Sequence, residues 1–499
     1  MQLKELLNIH GKINWGTVSQ QFEVTHLCQD SREVGPGSVF IAIRGTSVDG
    51  HDYLSKAIEQ GAQALVVENA AKVPKDYTGT VVEVLDGHLA LQALAQNFYS
   101  QPGDQLRSLA VTGTNGKTSC TYIFEYLLKT LGLRCGVIGT IDHHFMDKSW
   151  STNLTSPDPL TLQKRLQDFV NLGADSFVIE ASSHALSQGR LQQGFDVCLF
   201  TNLSRDHLDY HGNMEHYLMS KAKLFSSEML KSGVENFAIL NRDDSFYSQL
   251  KNQVQGRVLL TYGQNADSDF CFRILESNVN GVRFELLSPD KSSRIVSSPL
   301  LGEHNIYNLV GVLASVFAMG GNLDVALSQW SQFPGIPGRM QLYRPPNKKD
   351  VYCFVDYAHT PDALEQVLKN LKKQLSEQQR LITVFGCGGD RDPGKRPLMG
   401  EIAAAYNDLV VVTSDNPRSE EPQKIINDIL VGTKKSKAQI EPIVDRNEAI
   451  AYVAQQSKPG DVILIAGKGH EQTQTIQEKI LPFDDYQKLV QHFHKDSSQ

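Results

Sequence analysis

Hydrophobic positions recur along this chain in two spacings. Short apolar runs alternate with stretches whose apolar residues return every three or four positions. The run Leu109-Ala110-Val111 suits a buried strand. After it, Cys120, Ile123, Phe124, Leu127, Leu128 and Leu131 fall on one helical face, with Gly132 placed to end the helix. Further apolar runs stand at Val137-Ile138, Phe177 to Ile179, Val197 to Phe200 and Phe237 to Leu240, with helical segments between them. That alternation predicts a parallel sheet. The first part of the chain, with "QDSREVGPGSVFIAIRG" and "DGHDYLSKAIEQGAQALVVE", reads as strand–helix–strand. Near the end, Tyr352 to Val355, Leu381 to Phe385, Leu409 to Val412 and Val462 to Ala466 each run into a polar or Gly-rich loop. These loops are "DYAHTPDAL", "GCGGDRDPGKRP", "TSDNPRSEEP" and "GKGHEQ". Ligands of open α/β sheets bind outside the carboxyl ends of the strands, so four such loops predict a ligand site.

The Pro- and Gly-rich segments "SQPGDQ" and "FPGIPGRMQ" read as linkers. They divide an α/β chain into three expected domains: a smaller N-terminal one (1–103), a central P-loop ATPase-type parallel sheet (104–337) and a C-terminal Rossmann-like domain (338–499). A length of 499 residues agrees, being too great for one core. There is no internal repeat or low-complexity segment.

Composition removes several classes of function. A net charge of −8 argues against a general nucleic-acid or anionic-membrane binder. Seven scattered cysteines, odd in number and without a C-x-x-C, read as reduced thiols without structural zinc. No apolar stretch is long enough to span a membrane, and "MQLKELLNIHGK" lacks the apolar core of a signal peptide. A cytoplasmic protein acting on small molecules, as a monomer, is expected.

The most informative stretch is "VTGTNGKTS", Val111 to Ser119. A phosphate loop reads G-x-x-x-x-G-K-[ST], and Val111 stands where its first glycine belongs. The context is nonetheless that of a nucleotide site. A strand feeds a helix N-terminus, where free N–H groups and the helix dipole favour phosphate. Gly113 and Gly116 permit close backbone approach, Lys117 can neutralise phosphate and Thr118 can offer a hydroxyl to Mg²⁺. The alternative is a Gly-rich turn without ligand, which the strand, Lys-Thr pair and helix together disfavour.

"TGTNGKTS" closely resembles the ATP loop of the Mur ligase and folylpolyglutamate synthetase superfamily, whose members also dispense with the first glycine. The resemblance implies ATP-driven joining of a carboxylate to an amine, with Gly113, Thr114, Asn115, Gly116, Lys117, Thr118 and Ser119 binding ATP. "FVIEASSHALSQGR" and "TNLSRDHLDYHG" resemble the same family. By that resemblance Glu180 and His207, with Thr118, hold Mg²⁺. Taken alone, Glu180 would pass for a strand-end surface carboxylate. Lys221 in "LMSKAK" would pass for a solvated helix lysine, yet it matches a position that the family carbamylates with CO₂. Lys117, His207 and Lys221 are the expected catalytic residues. A carbamate would present oxygens to a second Mg²⁺. Only a neutral amine reacts, so burial or neighbouring cations must lower the pKa of this lysine. Lys223 is the competing candidate that the spacing disfavours.

The resemblance also nominates substrate contacts. "QDSR" gives Gln29 and Ser31, and "STNLTSPDP" gives Asn153, Thr155 and Ser156, for a UDP-muramoyl dipeptide. Ser156 stands where the family commonly has threonine. Ser182, Gln188 and Arg190 complete that set. Asn305, Arg339 and Asp356 are expected at the nucleotide, and the last belongs to a domain that would have to swing onto the loop, excluding water. "SDNPR" resembles the motif of members that add meso-diaminopimelate rather than lysine. Arg418 would grip the distal carboxylate bidentately. Asp415, Asn416, Pro417, Arg391, Gly467 and Glu471 would complete the amino-acid site. A lysine-adding or folate-acting member, or a P-loop ATPase regulator, remains the alternative.

Overall fold

In the computed structural model the run Leu109–Val111 lies inside the strand Arg107–Thr112, buried from Ser108 onward. The helix that follows spans Lys117–Thr130 and buries Cys120, Ile123, Phe124, Leu127 and Leu128. Leu131 lies just beyond it as the C-cap, and Gly132 adopts φ +77°. The structure describes all residues except 10, 17–21, 46–47, 192, 349, 435 and 496–499.

Contacts group the chain into two units, 1–270 with 308–326, and 271–307 with 327–499. The first unit contains two sheets. The N-terminal sheet runs Lys12–Asn14, Thr80–Glu83, Ala64–Val67, Ser38–Ile41, His26–Cys28. Its strands are parallel apart from the first. The larger sheet runs, within this unit, Val258–Gly263, Phe237–Asn241, Val197–Phe200, Arg107–Thr112, Ser176–Glu180, Cys135–Ile138. All these neighbours pair in parallel, as the alternating pattern predicts. An antiparallel hairpin, His143–Phe145 with Lys148–Trp150, extends its edge.

The strand that precedes the phosphate loop therefore has a parallel neighbour on each side. Its base is pinned by Asp196, whose carboxylate accepts from Ser108 N (2.9 Å), Ser108 Oγ (2.7 Å) and Lys231 Nζ (2.9 Å). Burying these groups without partners would be costly, so the cluster registers the strand start.

In the second unit, six strands run Gln341–Tyr343, Tyr352–Asp356, Val462–Ala466, Leu381–Phe385, Leu409–Val412, Gln439–Pro442. All but the first are parallel. Three of the expected strands, Leu381–Phe385, Leu409–Val412 and Val462–Ala466, have the bounds read from the sequence. The antiparallel strands Phe270–Asn278, Gly281–Leu287 and Ser293–Ser298 were not anticipated. Among the described residues no helix is long and apolar enough to cross a membrane.

At the edge hairpin of the first unit, His144 bonds to Asp142 through Nδ1 (2.7 Å) and Glu125 through Nε2 (3.1 Å). Burial alone would lower its pKa, but the two carboxylates outweigh it and hold it at about 9. The folded value lies above the unfolded value of about 6.5. The pair interactions therefore stabilise fully below about pH 6.5, and the stabilisation is lost as pH rises through 9. His144→Gln is expected to lower the thermal midpoint by a few degrees near pH 6. The gap to the unmodified protein should close by about pH 9.5. Melting curves across that range provide the check, and a pH-independent gap would contradict it.

Candidate active site

The phosphate loop does not need its missing glycine, because the backbone at Val111 is ordinary strand. Val111 pairs in register with Glu180 on one side and Leu199 on the other. The sharp turn begins two residues later. Gly113 has φ +149°, and a Cβ there would meet Thr201 Oγ1. Gly116, the N-cap of the helix, has φ +90°, and a Cβ would meet the Asn308 amide. The loop is braced from below by the segment after Phe200. Thr114 N donates to Asn202 O (2.8 Å), Asn115 N to Asn202 Oδ1 (3.0 Å) and Thr201 Oγ1 to Asn115 O (2.6 Å). "TNLSRDHLDYHG" thus supports the loop through Thr201 and Asn202, a role the sequence reading did not assign.

Two ammonium groups meet at one carbonyl. Lys117 Nζ donates to Gly113 O (2.9 Å) and Thr114 O (2.8 Å). Lys221 Nζ donates to the same Gly113 O at 2.7 Å. Lys221 comes from the helix Met214–Ala222 and is 1 % exposed, so it is no solvated helix lysine. Its Nζ sits 4.5 Å from the centre of the Tyr217 ring. Burial, and then the charge of Lys117, push its pKa well below the ordinary lysine value. Lys223 is exposed and reaches Ser187 O instead.

Glu180 is also buried, at 1 % exposure. Its Oε1 accepts from Thr118 Oγ1 (3.0 Å) and Thr140 N (2.8 Å), and its Oε2 from Thr140 Oγ1 (3.1 Å). Thr118 and Glu180 therefore form the hard-oxygen pair expected beside a nucleotide phosphate. Thr140, which orients the carboxylate, was missed; its only sequence signal is a place just after the strand Cys135–Ile138. His207 is exposed, in a left-handed conformation (φ +52°), with its ring 5.0 Å from that of His184. Among the described residues no three His, Cys, Asp or Glu side chains form a ready metal cage. A site that keeps waters on Mg²⁺ needs no such cage.

The residues expected at the acyl substrate adjoin this pair. Thr140 Oγ1 and Thr155 Oγ1 lie 3.1 Å apart, within hydrogen-bond distance. Ser156 Oγ donates to Glu180 O (2.7 Å) and lies 3.0 Å from Ser182 Oγ. Arg190 donates to Ser156 O (2.6 Å) and Gln188 Oε1 (2.9 Å). Thr155, Ser156, Ser182, Gln188 and Arg190 therefore form one connected wall, and Asn153 is exposed next to it. In the N-terminal sheet region, Ser31 is buried at the start of the turn Ser31–Glu33, and Gln29 is exposed beside it.

In the second unit the strand-end loops converge as expected. A Cβ on Gly388 would meet Arg418 Nη1 at 2.9 Å and Arg391 Cγ at 3.7 Å, so both arginines flank that glycine. Arg418 donates to Gly389 O (2.8 Å) and has φ +52°. Asn416 Nδ2 donates to Glu471 Oε2 (2.8 Å). Pro417 is buried in the same loop, and its carbonyl crowds Gly389. Asp415 is buried, which pushes its carboxyl pKa up, and it packs against Gly467. The strand-end loops thus bring two arginines to Gly388 and join Asn416 to the carboxylate of Glu471. Arg446, unremarked in the sequence, forms a bidentate pair with Asp485 (2.7 Å each) with neither side chain exposed. It also donates to Ala466 O (3.0 Å) and Ser414 O (3.4 Å), fixing the ends of two strands.

Of the residues expected at the nucleotide from this unit, Asn305 and Asp356 are buried and Arg339 is half-buried. Both Asp356 oxygens accept from main chain, Oδ2 from Met340 N (2.8 Å) and Oδ1 from Ala358 N (2.9 Å). Asn305 is buried and donates to Leu301 O (2.8 Å). Arg339 lies over the Tyr357 ring at 5.1 Å.

Three consecutive segments match family models: the Mur ligase family catalytic domain at 23–99, the Mur ligase middle domain at 111–316, and the Mur ligase glutamate ligase domain at 338–469. A relative from Geobacter sulfurreducens, named UDP-N-acetylmuramoyl-L-alanyl-D-glutamate–2,6-diaminopimelate ligase, is 40 % identical over 95 % of this chain and 96 % of its own. A relative of the same name from Thermosynechococcus vestitus is 42 % identical over 93 % and 92 %. A solved structure with that name aligns over 100 % of both chains at 34 % identity and a TM-score of 0.72. A Mycobacterium tuberculosis folylpolyglutamate synthase, at 19 % identity, TM-score 0.58, and 76 % of this chain against 92 % of its own, shares the fold.

Gly116 and Gly132 separate crowding from backbone strain. Both are left-handed, but nothing lies within 4 Å of a Cβ at Gly132. Gly132→Ala should cost about 1 kcal/mol from conformation alone. Gly116→Ala adds a collision with Asn308 and should cost at least about twice that. Urea unfolding of both variants is the measurement, and equal losses would contradict the loop geometry.

Proposed function

The chain belongs to the Mur ligase family, and from that premise we propose that it adds meso-2,6-diaminopimelate to UDP-N-acetylmuramoyl-L-alanyl-D-glutamate, using ATP, in peptidoglycan synthesis. The observation that carries the reading is the paired Arg391 and Arg418 beside Gly388, close in the chain's loops to the Asn416–Glu471 hydrogen bond. Diaminopimelate is lysine with a further carboxylate at its far end. A permanently charged, planar guanidinium suits that carboxylate, and Glu471 suits an ammonium. The near-full-length likeness to diaminopimelate ligases supports the same choice.

The reaction proceeds in two steps. The γ-carboxylate of D-glutamate attacks the γ-phosphorus of ATP, giving an acyl phosphate and ADP. The diaminopimelate amine then attacks the acyl carbon, phosphate leaves, and the amine loses a proton. The protein's part is mainly positioning and electrostatics. Gly113 to Ser119 cradle the ATP phosphates on the helix N-terminus, and Lys117 offsets their charge. Asn305, Arg339 and Asp356 serve the nucleotide. Gln29, Ser31, Asn153, Thr155, Ser156, Ser182, Gln188 and Arg190 hold the UDP-muramoyl dipeptide. Asp415, Asn416, Pro417, Arg418, Arg391, Gly467 and Glu471 hold the amino acid.

Thr118, Glu180, His207 and a carbamate on Lys221 would hold magnesium, and their mainly oxygen donors suit it. Magnesium supplies neutralisation of charge on the transferring phosphoryl group. The buried Lys221 amine, its pKa lowered, would add CO₂ and release a proton to become the carbamate. The division at 103/104 and 337/338 belongs to the same proposal; it is supported by one family match lying within each segment. The cysteines that the structure describes are all free thiols, in keeping with a cytoplasmic enzyme.

Two measurements test this. ADP release should require both the UDP-muramoyl dipeptide and diaminopimelate; equal release without the amine would overturn the ligase reading. Arg418→Ala should then lower kcat/KM for diaminopimelate at least about tenfold, since a charged hydrogen bond is worth roughly 1.5–3 kcal/mol. Lysine, which lacks the distal carboxylate, should change far less, and Arg418→Lys should rescue only in part. Equal losses for both amino acids would remove the acceptor assignment. For the carbamate, Lys221→Ala should lower turnover by about two orders of magnitude or more, with short carboxylates restoring part of it. Near-normal turnover at low Mg²⁺ would exclude a metal-linked role.

A further inference from the structure

The segment directly after Glu471 forms a two-stranded hairpin, Thr473–Ile476 with Lys479–Pro482. Its outer strand is exposed throughout, but its inner strand is bonded to the loop Asp415–Arg418. Gln474 Nε2 donates to Asp415 O at 2.7 Å, and Thr475 N donates to Asn416 Oδ1 at 2.9 Å. Arg418 N donates to Thr475 O at 3.0 Å, and Gln477 N to Arg418 O at 2.6 Å. Arg418 and Ile476 thereby form an isolated parallel bridge.

This bridge acts on a strained residue. Arg418 has φ +52°, a conformation that crowds any Cβ and persists only where neighbours impose it. In that conformation the guanidinium reaches Gly389 O at 2.8 Å. The hairpin supplies both main-chain bonds that hold the residue.

At the root of the hairpin stands Lys468, which has no exposed surface. Its Nζ donates to Thr473 O (2.7 Å), Glu471 Oε2 (3.0 Å) and Asn416 Oδ1 (3.3 Å). One ammonium therefore ties together the hairpin, the pocket's anion and the loop that carries Arg418. A buried cation with three acceptors is well suited to fixing geometry, since losing it removes at once the bonds that join Thr473, Glu471 and Asn416.

We propose that the hairpin, anchored by Lys468 and Gln474, is the positioning element that sets the pocket's preference for an amino acid with a second carboxylate. This rests on the acceptor assigned above. A hairpin that served stability alone would affect all acceptors alike. A positioning element would affect the one that needs Arg418.

The test uses the full-length enzyme with Lys468→Met and Gln474→Leu. KM and kcat are measured for meso-diaminopimelate, lysine, ATP and the UDP-muramoyl dipeptide, alongside the thermal midpoint. Lys468→Met should raise KM for diaminopimelate at least about tenfold and narrow its preference over lysine by a similar factor. KM for ATP and the dipeptide should stay within about twofold. Gln474→Leu, which removes one neutral hydrogen bond, should show the same pattern at about three- to tenfold, and it decides the matter if Lys468→Met does not fold. Parallel losses for both amino acids, or an unchanged preference, would overturn the proposal. If the unmodified enzyme itself shows no preference for diaminopimelate, the acceptor assignment fails first and this inference fails with it.

Discussion

The carbonyl oxygen of Gly113 accepts hydrogen bonds from two lysines, Lys117 and Lys221. This shared acceptor constrains everything around the phosphate loop. It requires Gly113 at a φ that side chains disfavour, and Thr201 close enough to exclude one. It brings the helix Met214–Ala222 against the loop and takes the Lys221 amine out of water. Two like charges at one acceptor are poorly tolerated when one of them, on Lys221, is out of water, and this disfavours the charged form of that amine. Burial and Lys117 both act in that direction on Lys221. The same closeness that shapes the loop therefore favours the uncharged form of the Lys221 amine.

Next to this pair, Glu180 shows how a carboxylate is kept both buried and directed. Its oxygens accept three hydrogen bonds from Thr118 and Thr140, and its main-chain carbonyl accepts one from Ser156. The phosphate loop and the segment that carries Ser156 are thus joined through one strand end. Asp196 does comparable work at the opposite end of the neighbouring strand, pinning Ser108 and pairing with Lys231.

The second unit applies the same rule with ion pairs. Arg446 and Asp485 are fully buried, and Arg396, 1 % exposed, pairs with Glu420 (2.7 Å) and Asp428 (2.9 Å). Glu420 Oε1 also accepts from Asp390 N (2.7 Å), which links the "GGDRD" loop to the loop after "DNPR". Desolvation offsets much of what such pairs contribute to stability, whereas removing one partner leaves a buried charge uncompensated. Their evident effect here is geometric: Arg446 fixes two strand ends, and Arg396 ties its helix to the helix of Asp428 and to Glu420.

The sequence by itself determined the local elements. Apolar runs and helical faces reflect periods of a few residues, so the strands Val197–Phe200, Leu381–Phe385 and Val462–Ala466 and the helix after Lys117 were legible without coordinates. Motifs contiguous in the chain, such as "TGTNGKTS" and "SDNPR", carried the expected chemistry for the same reason. Tertiary structure alone decided what depends on distant partners. Only the family resemblance set Lys221 apart from a solvated lysine in the sequence; its burial against Gly113 is the work of the fold. Thr140, Gln474 and Arg446 carry no motif, because their roles consist of hydrogen bonds to residues tens of positions away. Burial, electrostatics and imposed backbone strain are properties of surroundings, and surroundings are assembled only when the chain folds.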